Sequence, residues 1–490
     1  MVVRRKPKQD TPSAPESGKP AQPGGPESGR SWWVLLWAVL VHGVALAASP
    51  LAATPVGLFF FGDGVIYLEQ ARRLVVGEPL MMAGLPLQPP LPIWLATPLW
   101  WLFGEPAAVF LAAKLVTVAM SAATGVLLYR LLAGRVPFAL PLALFLPLGF
   151  GELALASAWS AEVPYRLLLV ALLWLGWRRP VVSGLLHGLA ASARPEHLGL
   201  ALALAVFFLW RRPARRRAAL ITLAVGLVAL LPAVLSAHSA LASYNRAHVG
   251  ELPSPLPEWV PVSFGGPLNF ALGQREEELF FARRTLPPPP GRPAELDPTW
   301  APHHEAIVRG WRLGLAEIAA RPGRFLARGA AKVWASLGAL GHGWTLRDLP
   351  NPPEWVRLPV DVASARSPLW LWLSLGLAAL GTWVLRRQRQ LLAVGALLLG
   401  YRLLVAVAFF PYLRSTMIVW PFLLLLVAAG TVALVPQRLR RFWPWVLAAL
   451  ALVHLGMALA EPDYRLSGER DDAGEIIDDR PVTIRIGEGP

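Results

Sequence analysis

Few residues in this chain have types suited to chemistry, and the foremost is Asp63. It lies in Phe60-Phe61-Gly62-Asp63-Gly64-Val65-Ile66-Tyr67-Leu68-Glu69-Gln70-Ala71-Arg72-Arg73-Leu74, just after the first hydrophobic segment. A carboxylate at that point can act as a general base on an acceptor nucleophile. Desolvation beside a bilayer raises a carboxylate's proton affinity, which suits the role. The same side chain can cap a helix running to Val76, with Gly77 as its stop; capping and catalysis are compatible. The next stretch, Gly77 to Leu91, is rich in Gly and Pro and ends Gln88-Pro89-Pro90-Leu91.

Other ionisable residues interrupt apolar sequence, where they are costly unless paired or functional. Arg194 and Glu196 flank Pro195. Arg194 can grip a lipid phosphate with two parallel hydrogen bonds, or it can form an Arg–Glu pair with Glu196 that shortens two helices. Glu162, with Tyr165 and Arg166, opens another apolar segment. It can line the same cavity or favour a helix N-terminus. Tyr412 and Arg414 lie in a very short turn, Phe409 to Ser415, where a lone arginine on the outer side points to an anion. Lys332 can bind phosphate, although a lysine snorkelling to the interface is the stronger expectation. His303-His304-Glu305 has no partners at metal-ligand spacing and is expected in a solvated loop, so no metal ligands are assigned.

The elements that position these residues are mostly membrane spans. The chain has 490 residues, of which 55% are hydrophobic and 16% charged, an excess of apolar surface that predicts an all-α polytopic membrane protein. Apolar windows fall near Trp32–Ala48, Ala107–Leu132, Phe138–Ser157, Val163–Trp177, Val181–Ala193, Leu198–Trp210, Ala218–Ala237, Leu369–Leu385, Leu391–Phe410, Thr416–Val435 and Phe442–Ala460. These make about eleven spans. With that number, Arg130/Arg135, Arg178-Arg179, Arg211 to Arg217, Arg386 to Arg389 and Arg438 to Arg441 all share the cytoplasmic side with Arg4-Arg5-Lys6. Joining Val181 to Trp210 into one span would put Arg211 to Arg217 outside, which the charge rule opposes. The expected organisation is a disordered cytoplasmic tail (1–30), an N-terminal transmembrane module (31–237) with a first external loop at 51–105, and a mixed external subdomain (238–368). C-terminal transmembrane helices (369–460) and an external tail (461–490) follow. Leu91 to Phe103 reads as an interfacial or re-entrant helix. In the external subdomain, helices are expected near Glu305 to Ala320 and Arg324 to Leu337, with a break at Arg321-Pro322-Gly323. The segment Ser31 to Pro50 reads as an uncleaved anchor because its apolar run is long.

Composition also excludes. The net charge of +15 sits in short inter-span clusters, so it marks topology and not nucleic acid. Cysteine is absent, which removes disulfides and thiolate metal sites. The 22 tryptophans suit aromatic belts at the two interfaces. No phosphate-binding glycine loop, dinucleotide fingerprint or nucleophile elbow is present. Energy for a transfer must then come from a pre-activated donor, and a lipid-linked one suits an outward-facing site.

Four stretches, in order, resemble the GT-C superfamily of integral-membrane glycosyltransferases, in particular the bacterial branch related to protein O-mannosyltransferases and the aminoarabinose transferase of lipid A. They are Gly62-Asp63 to Leu74 with Gly77 and Gln88-Pro89-Pro90-Leu91; Leu189 to Glu196; Pro267 to Gly273 together with Ile318 to Lys332; and Tyr412-Leu413-Arg414 to Pro421. The resemblance implies a helical bundle with juxtamembrane helices over an external cavity. It implies transfer of a sugar from a polyprenyl-phosphate carrier to a protein, lipid or glycan acceptor, at the cytoplasmic (inner) membrane. Asp63 becomes the catalytic base, Arg194 and Arg414 meet the lipid phosphate, and Tyr67 and Glu162 line the cavity. Many relatives carry a second acid after the aspartate, where this chain has Gly64; no cofactor is certain, and a divalent cation is left open. Two other classes fit less well. A lipid-carrier transporter or scaffold would show repeats and mid-membrane charges. A glycan polymerase or ligase of another fold would keep its key residues in a large late external loop.

Overall fold

The computed structural model describes residues 27–48, 63–78, 88–175, 179–211, 216–263, 265–275, 297–342, 368–410 and 418–459. All regular structure among them is helical. Proline explains many of the starts. It has no N–H to lose in the first turn, and its fixed φ suits a helix there. It stands at or beside the first position of α3 (Pro90–Phe103), α4 (Pro106–Leu132), α8 (Pro180–Ala193) and α12 (Ala301–Ala320).

The remaining helices before α12 are α1 (Glu27–Ala48), α2 (Asp63–Val75), α5 (Ala139–Phe145), α6 (Phe150–Ser157), α7 (Glu162–Leu175), α9 (His197–Arg211), α10 (Arg216–Ala247) and α11 (Gly265–Arg275). After it come α13 (Pro322–His342), α14 (Pro368–Val384), α15 (Arg389–Ala408), α16 (Trp420–Leu434) and α17 (Trp443–Leu459). Four helices among the described residues are long and apolar enough to cross a membrane: Gly29–Ala48, Pro106–Leu132, Arg216–Ala247 and Arg389–Ala408. Several shorter apolar helices pack around them. The architecture is that of an α-helical membrane protein.

Two expected spans take a different form. Phe138 to Ser157 is not one helix. It is α5, a 3-10 turn at Leu146–Leu148 and α6, parted where Gly149 is extended (φ −72, ψ 138). Pro147, inside that turn, cannot donate a backbone hydrogen bond. The span expected to end at Ala237 continues as α10 to Ala247, at 32 residues. At about 1.5 Å per residue that is roughly 48 Å, well beyond an apolar core of about 30 Å. Its extra turns hold the next segment: Asn245 Nδ2 donates to Leu256 O and Leu256 N donates to Asn245 Oδ1, both at 2.9 Å.

The helices pack as neighbours in a bundle, with α1 on α4, α4 on α7, α8 on α10 and α14 on α16. The largest core cluster joins Leu128 and Leu132 of α4, Leu169 of α7 and Leu423 to Val427 of α16. At the end of the bundle where α4 finishes, basic loops meet. Arg130 Nε donates to Ser31 Oγ at 3.4 Å, and Gln388 Nε2 donates to the Arg135 carbonyl at 3.1 Å. The opposite end holds the first turns of α2 and α7 and the α8–α9 connection.

Candidate functional site

Helix α2 begins at Asp63 and ends just before Gly77, whose φ of 83° lies in the left-handed region that glycine tolerates. Its head is seated on the segment that leads into α7. A Cβ on Gly64 would lie 2.5 Å from the Trp159 carbonyl oxygen, so only glycine permits this approach. Tyr67, Leu68 and Ala71 pack with Trp159, Ala161 and α3, and Trp100 Nε1 donates to the Leu68 carbonyl at 2.9 Å. On the outer side of α2, Glu69 accepts hydrogen bonds from Arg72 and Arg73. Partial burial works to raise its carboxyl, and the two guanidinium groups overcome that and hold it below the usual value.

Three residues after Trp159 comes Glu162, the first residue of α7 and almost fully buried. Its Oε1 accepts from Arg194 Nη1 at 2.7 Å. Arg194 is the residue at which α8 ends, extended at φ −145 and ψ 105. Its Nε and Nη2 both reach Glu196 Oε1 at 2.7 Å. One guanidinium thus bridges two carboxylates from two parts of the chain. Tyr67 of α2 lies within electrostatic reach of Arg194. The expected Arg194–Glu196 pair is therefore present, and Glu162 joins it.

Glu196 is shared further. Tyr401 of α15 donates its hydroxyl proton to the Glu196 carbonyl, and Arg402 Nη1 lies 4.0 Å from Glu196 Oε1. Tyr401 also fixes the approach of α15, because a Cβ on Gly199 would lie 2.5 Å from its hydroxyl. Two acids, Glu162 and Glu196, face two arginines, Arg194 and Arg402, so the group is neutral as a set. Buried ions need such matching. Arg194 and Glu196 keep the most exposure, 17% and 20% of their side chains.

Two further buried sets support this locus. Arg166 pairs with Glu152 of α6 through both carboxylate oxygens, with Nη2 to Oε2 at 2.6 Å. Tyr165 Oη lies 3.0 Å from His197 Nδ1, and His197 Nε2 lies 2.8 Å from His187 Nδ1. This Tyr–His–His chain fastens the heads of α7 and α9 to the middle of α8.

The structure thus brings Tyr67, Glu162, Arg194 and Glu196 together under the head of α2. The backbone of Asp63 begins that helix, but its side chain, and Tyr412 and Arg414 entirely, lie outside the described residues. Lys332 does not join the group and corrects the expectation of an interfacial lysine. It is 1% exposed, and Nζ donates to the carbonyls of Gly273 (2.8 Å), Val407 (3.1 Å) and Phe409 (2.7 Å). The His303–His304 loop expectation is also corrected, because both are buried on α12. His303 Nδ1 accepts from the Asp297 N–H at 3.0 Å, and His304 Nε2 donates to the Ser254 carbonyl at 2.7 Å. Among the described residues no group of three or more His, Asp or Glu side chains is placed to hold a metal. Glu162 and Glu196 already face arginine, so this donor set does not fit a divalent cation.

Sequence reasoning missed Arg402, Glu152, His187 and His197. Each is polar within an apolar stretch, which is the signal that would have found it. Compared with known proteins, the chain matches no family model and no curated sequence.

Proposed function

We propose that the chain is an integral-membrane glycosyltransferase that moves a sugar from a polyprenyl-phosphate carrier to an acceptor on the outer face of the cytoplasmic membrane. In this reading about eleven segments span the bilayer, with the N-terminus inside and the C-terminus outside. The observation that supports it is the bridge Glu162–Arg194–Glu196 directly beneath the head of the helix that Asp63 begins. It lies at the end of the bundle opposite the arginine-rich loops. A charged, partly open locus walled by apolar helices is what an amphiphilic phosphate substrate requires.

The Asp63 carboxylate takes the proton from an acceptor O–H or N–H. The acceptor atom forms a bond to the anomeric carbon, the bond from that carbon to the phosphate oxygen breaks, and polyprenyl phosphate leaves with the bonding pair. One displacement with no covalent intermediate inverts the anomeric centre. The resemblance assigns the leaving phosphate to Arg194 and Arg414, and Tyr67 and Glu162 to the cavity wall; Glu196 and Tyr412 are placed in this reading among the residues that meet the substrate. Fixed cations at the departing oxygen lower the barrier because charge develops there. No step is routed through a metal.

The test compares wild type with Asp63→Asn in nanodiscs against radiolabelled polyprenyl-phosphate sugars, scoring donor binding and release of lipid phosphate separately. Binding should persist while turnover falls by about 10²–10⁴, the usual contribution of a general base. Equal turnover in the two proteins would remove Asp63 from the chemistry and leave it as a helix cap.

A further inference from the structure

Among the described residues, Arg402 is the member of the buried ionic group for which no hydrogen bond is found. It sits on α15, six residues before the helix ends at Ala408, or roughly 9 Å below that end. The residue is 6% exposed. Its one ionic contact, Nη1 to Glu196 Oε1 at 4.0 Å, is too long for a hydrogen bond. Nε is buried without an acceptor among the described residues, and no hydrogen bond from Nη2 is found there either. Nε and Nη2 form the edge of the guanidinium that grips a carboxylate or phosphate with two parallel bonds. Arg194 presents the opposite case, since Nε, Nη1 and Nη2 are all matched to carboxylate oxygens.

A buried charged donor without an acceptor is costly, so its retention calls for an explanation, and a bound anion is one that satisfies both the charge and the hydrogen bonds. Charge balance alone would be served by a close Arg402–Glu196 pair, yet Glu196 is drawn instead to Arg194. Tyr401, next in sequence, is tied to the Glu196 backbone and packed on Gly199, so α15 is held in register and Arg402 is presented at a fixed height.

We propose that Arg402 is the seat of a phosphate oxyanion, in place of the Arg194 that the resemblance assigned to it. Arg194, with its nitrogens matched to carboxylates, is then a positioning residue that holds Glu162 and Glu196 in place. The proposal rests on the glycosyltransferase reading for its ligand class, the phosphate group of a polyprenyl monophosphate. The shared chemistry, a tetrahedral oxyanion with at least two free oxygens, also belongs to inorganic phosphate.

The test measures binding to full-length protein in nanodiscs of neutral lipid, with three probes: a polyprenyl monophosphate without sugar, the matching polyprenol, and inorganic phosphate. The variants are Arg402→Lys and Arg402→Met. Their thermal unfolding without ligand reports whether they fold. The lipid phosphate should bind wild type and lose about ten- to hundredfold in affinity with Arg402→Met, the range for charge-assisted hydrogen bonds. Arg402→Lys, which keeps the charge and loses the fork, should fall between. Polyprenol should bind all three proteins alike. Lipid-phosphate affinity equal in wild type and a folded Arg402→Met would overturn the seat while leaving the transferase reading intact, because Asp63→Asn is scored on turnover. Inorganic phosphate protecting wild type as well as the lipid form does, and not Arg402→Met, would uphold the seat and assign it to a soluble anion. Wild type binding neither phosphate probe would sink both the seat and the lipid-carrier reading.

Discussion

Lys332→Met should loosen two helix ends that have no sequence relationship to each other. The last carbonyls of an α-helix have no intrahelical donor. Gly273 lies in the last turn of α11, and Val407 and Phe409 lie at the end of α15. The Lys332 ammonium donates to all three, and Gln274 Nε2 adds a bond to Ala408 O at 2.6 Å. A cation there also complements two helix dipoles. Methionine preserves the stem and removes the charge. It leaves three carbonyls short of a donor at about 1–3 kcal/mol each, offset by the desolvation that the ammonium no longer suffers. A net loss of about 3 kcal/mol corresponds to roughly hundredfold faster local opening. Hydrogen exchange read by mass spectrometry on peptides covering 265–275 and 400–410 should show that increase in ligand-free protein. Peptides from α8 and α10 should be unaffected. Exchange within about threefold of wild type at both helix ends would refute the reasoning. A change appearing only with a phosphate ligand would return Lys332 to the substrate role that its sequence position suggested.

Two other perturbations test the packing and charge arguments. Gly188→Leu should force α8 from α10, because a Cβ there would lie 2.5 Å from Ala229 Cβ and 2.8 Å from Gly226 O. Gly184 and Gly188 form a small-xxx-small contact of the kind that lets membrane helices approach closely. Overpacking of this sort costs about 1–3 kcal/mol and should lower the aggregation temperature of the detergent-solubilised protein, whereas Leu185→Ala on the exposed face should not. Glu69 governs a pH response in α2. Its folded carboxyl is held below the ordinary 4.5, so the folded state binds that proton less tightly than the unfolded chain does. The stabilisation is therefore complete above the unfolded value and is lost as pH falls through the lower, folded one. Exchange protection of 63–75, corrected for intrinsic rates, should drop over that acid window in wild type. In Glu69→Gln it should be slightly lower and flat, by about 0.3–0.5 kcal/mol per lost pair. The same profile in both proteins would remove Glu69 as the cause.

What the sequence made legible follows from the range over which each signal acts. The helix from Asp63 to Val75 is a local matter, carried by a run of helix formers and followed by a glycine able to take positive φ, and its bounds agree with the expected ones to within a residue. The division at Arg194-Pro195-Glu196 was legible for a related reason: charged residues and a proline cannot continue an apolar helix. Phe138 to Ser157 was misread because a hydropathy window sums side chains and is blind to the missing N–H of Pro147. The overrun of α10 to Ala247 escaped the same window, since the polar residues His238, Ser239 and Asn245 lower hydropathy without stopping a helix. The site shows a second limit. Arg194 and Glu162 could each be singled out as ions in apolar surroundings, but their meeting across 32 residues could not, and Arg402 joins from more than two hundred residues away. Lys332 marks the extreme, since its partners are backbone carbonyls that every residue carries. Sequence identifies where burial of charge needs an explanation; only the meeting of the head of α7 with the α8–α9 connection, and of that connection with α15, supplies the partners. The partners then invert the expectation. Arg194, the most conspicuous arginine in the sequence, has its hydrogen bonds made within the protein, and the inconspicuous Arg402 keeps an edge without an acceptor among the described residues.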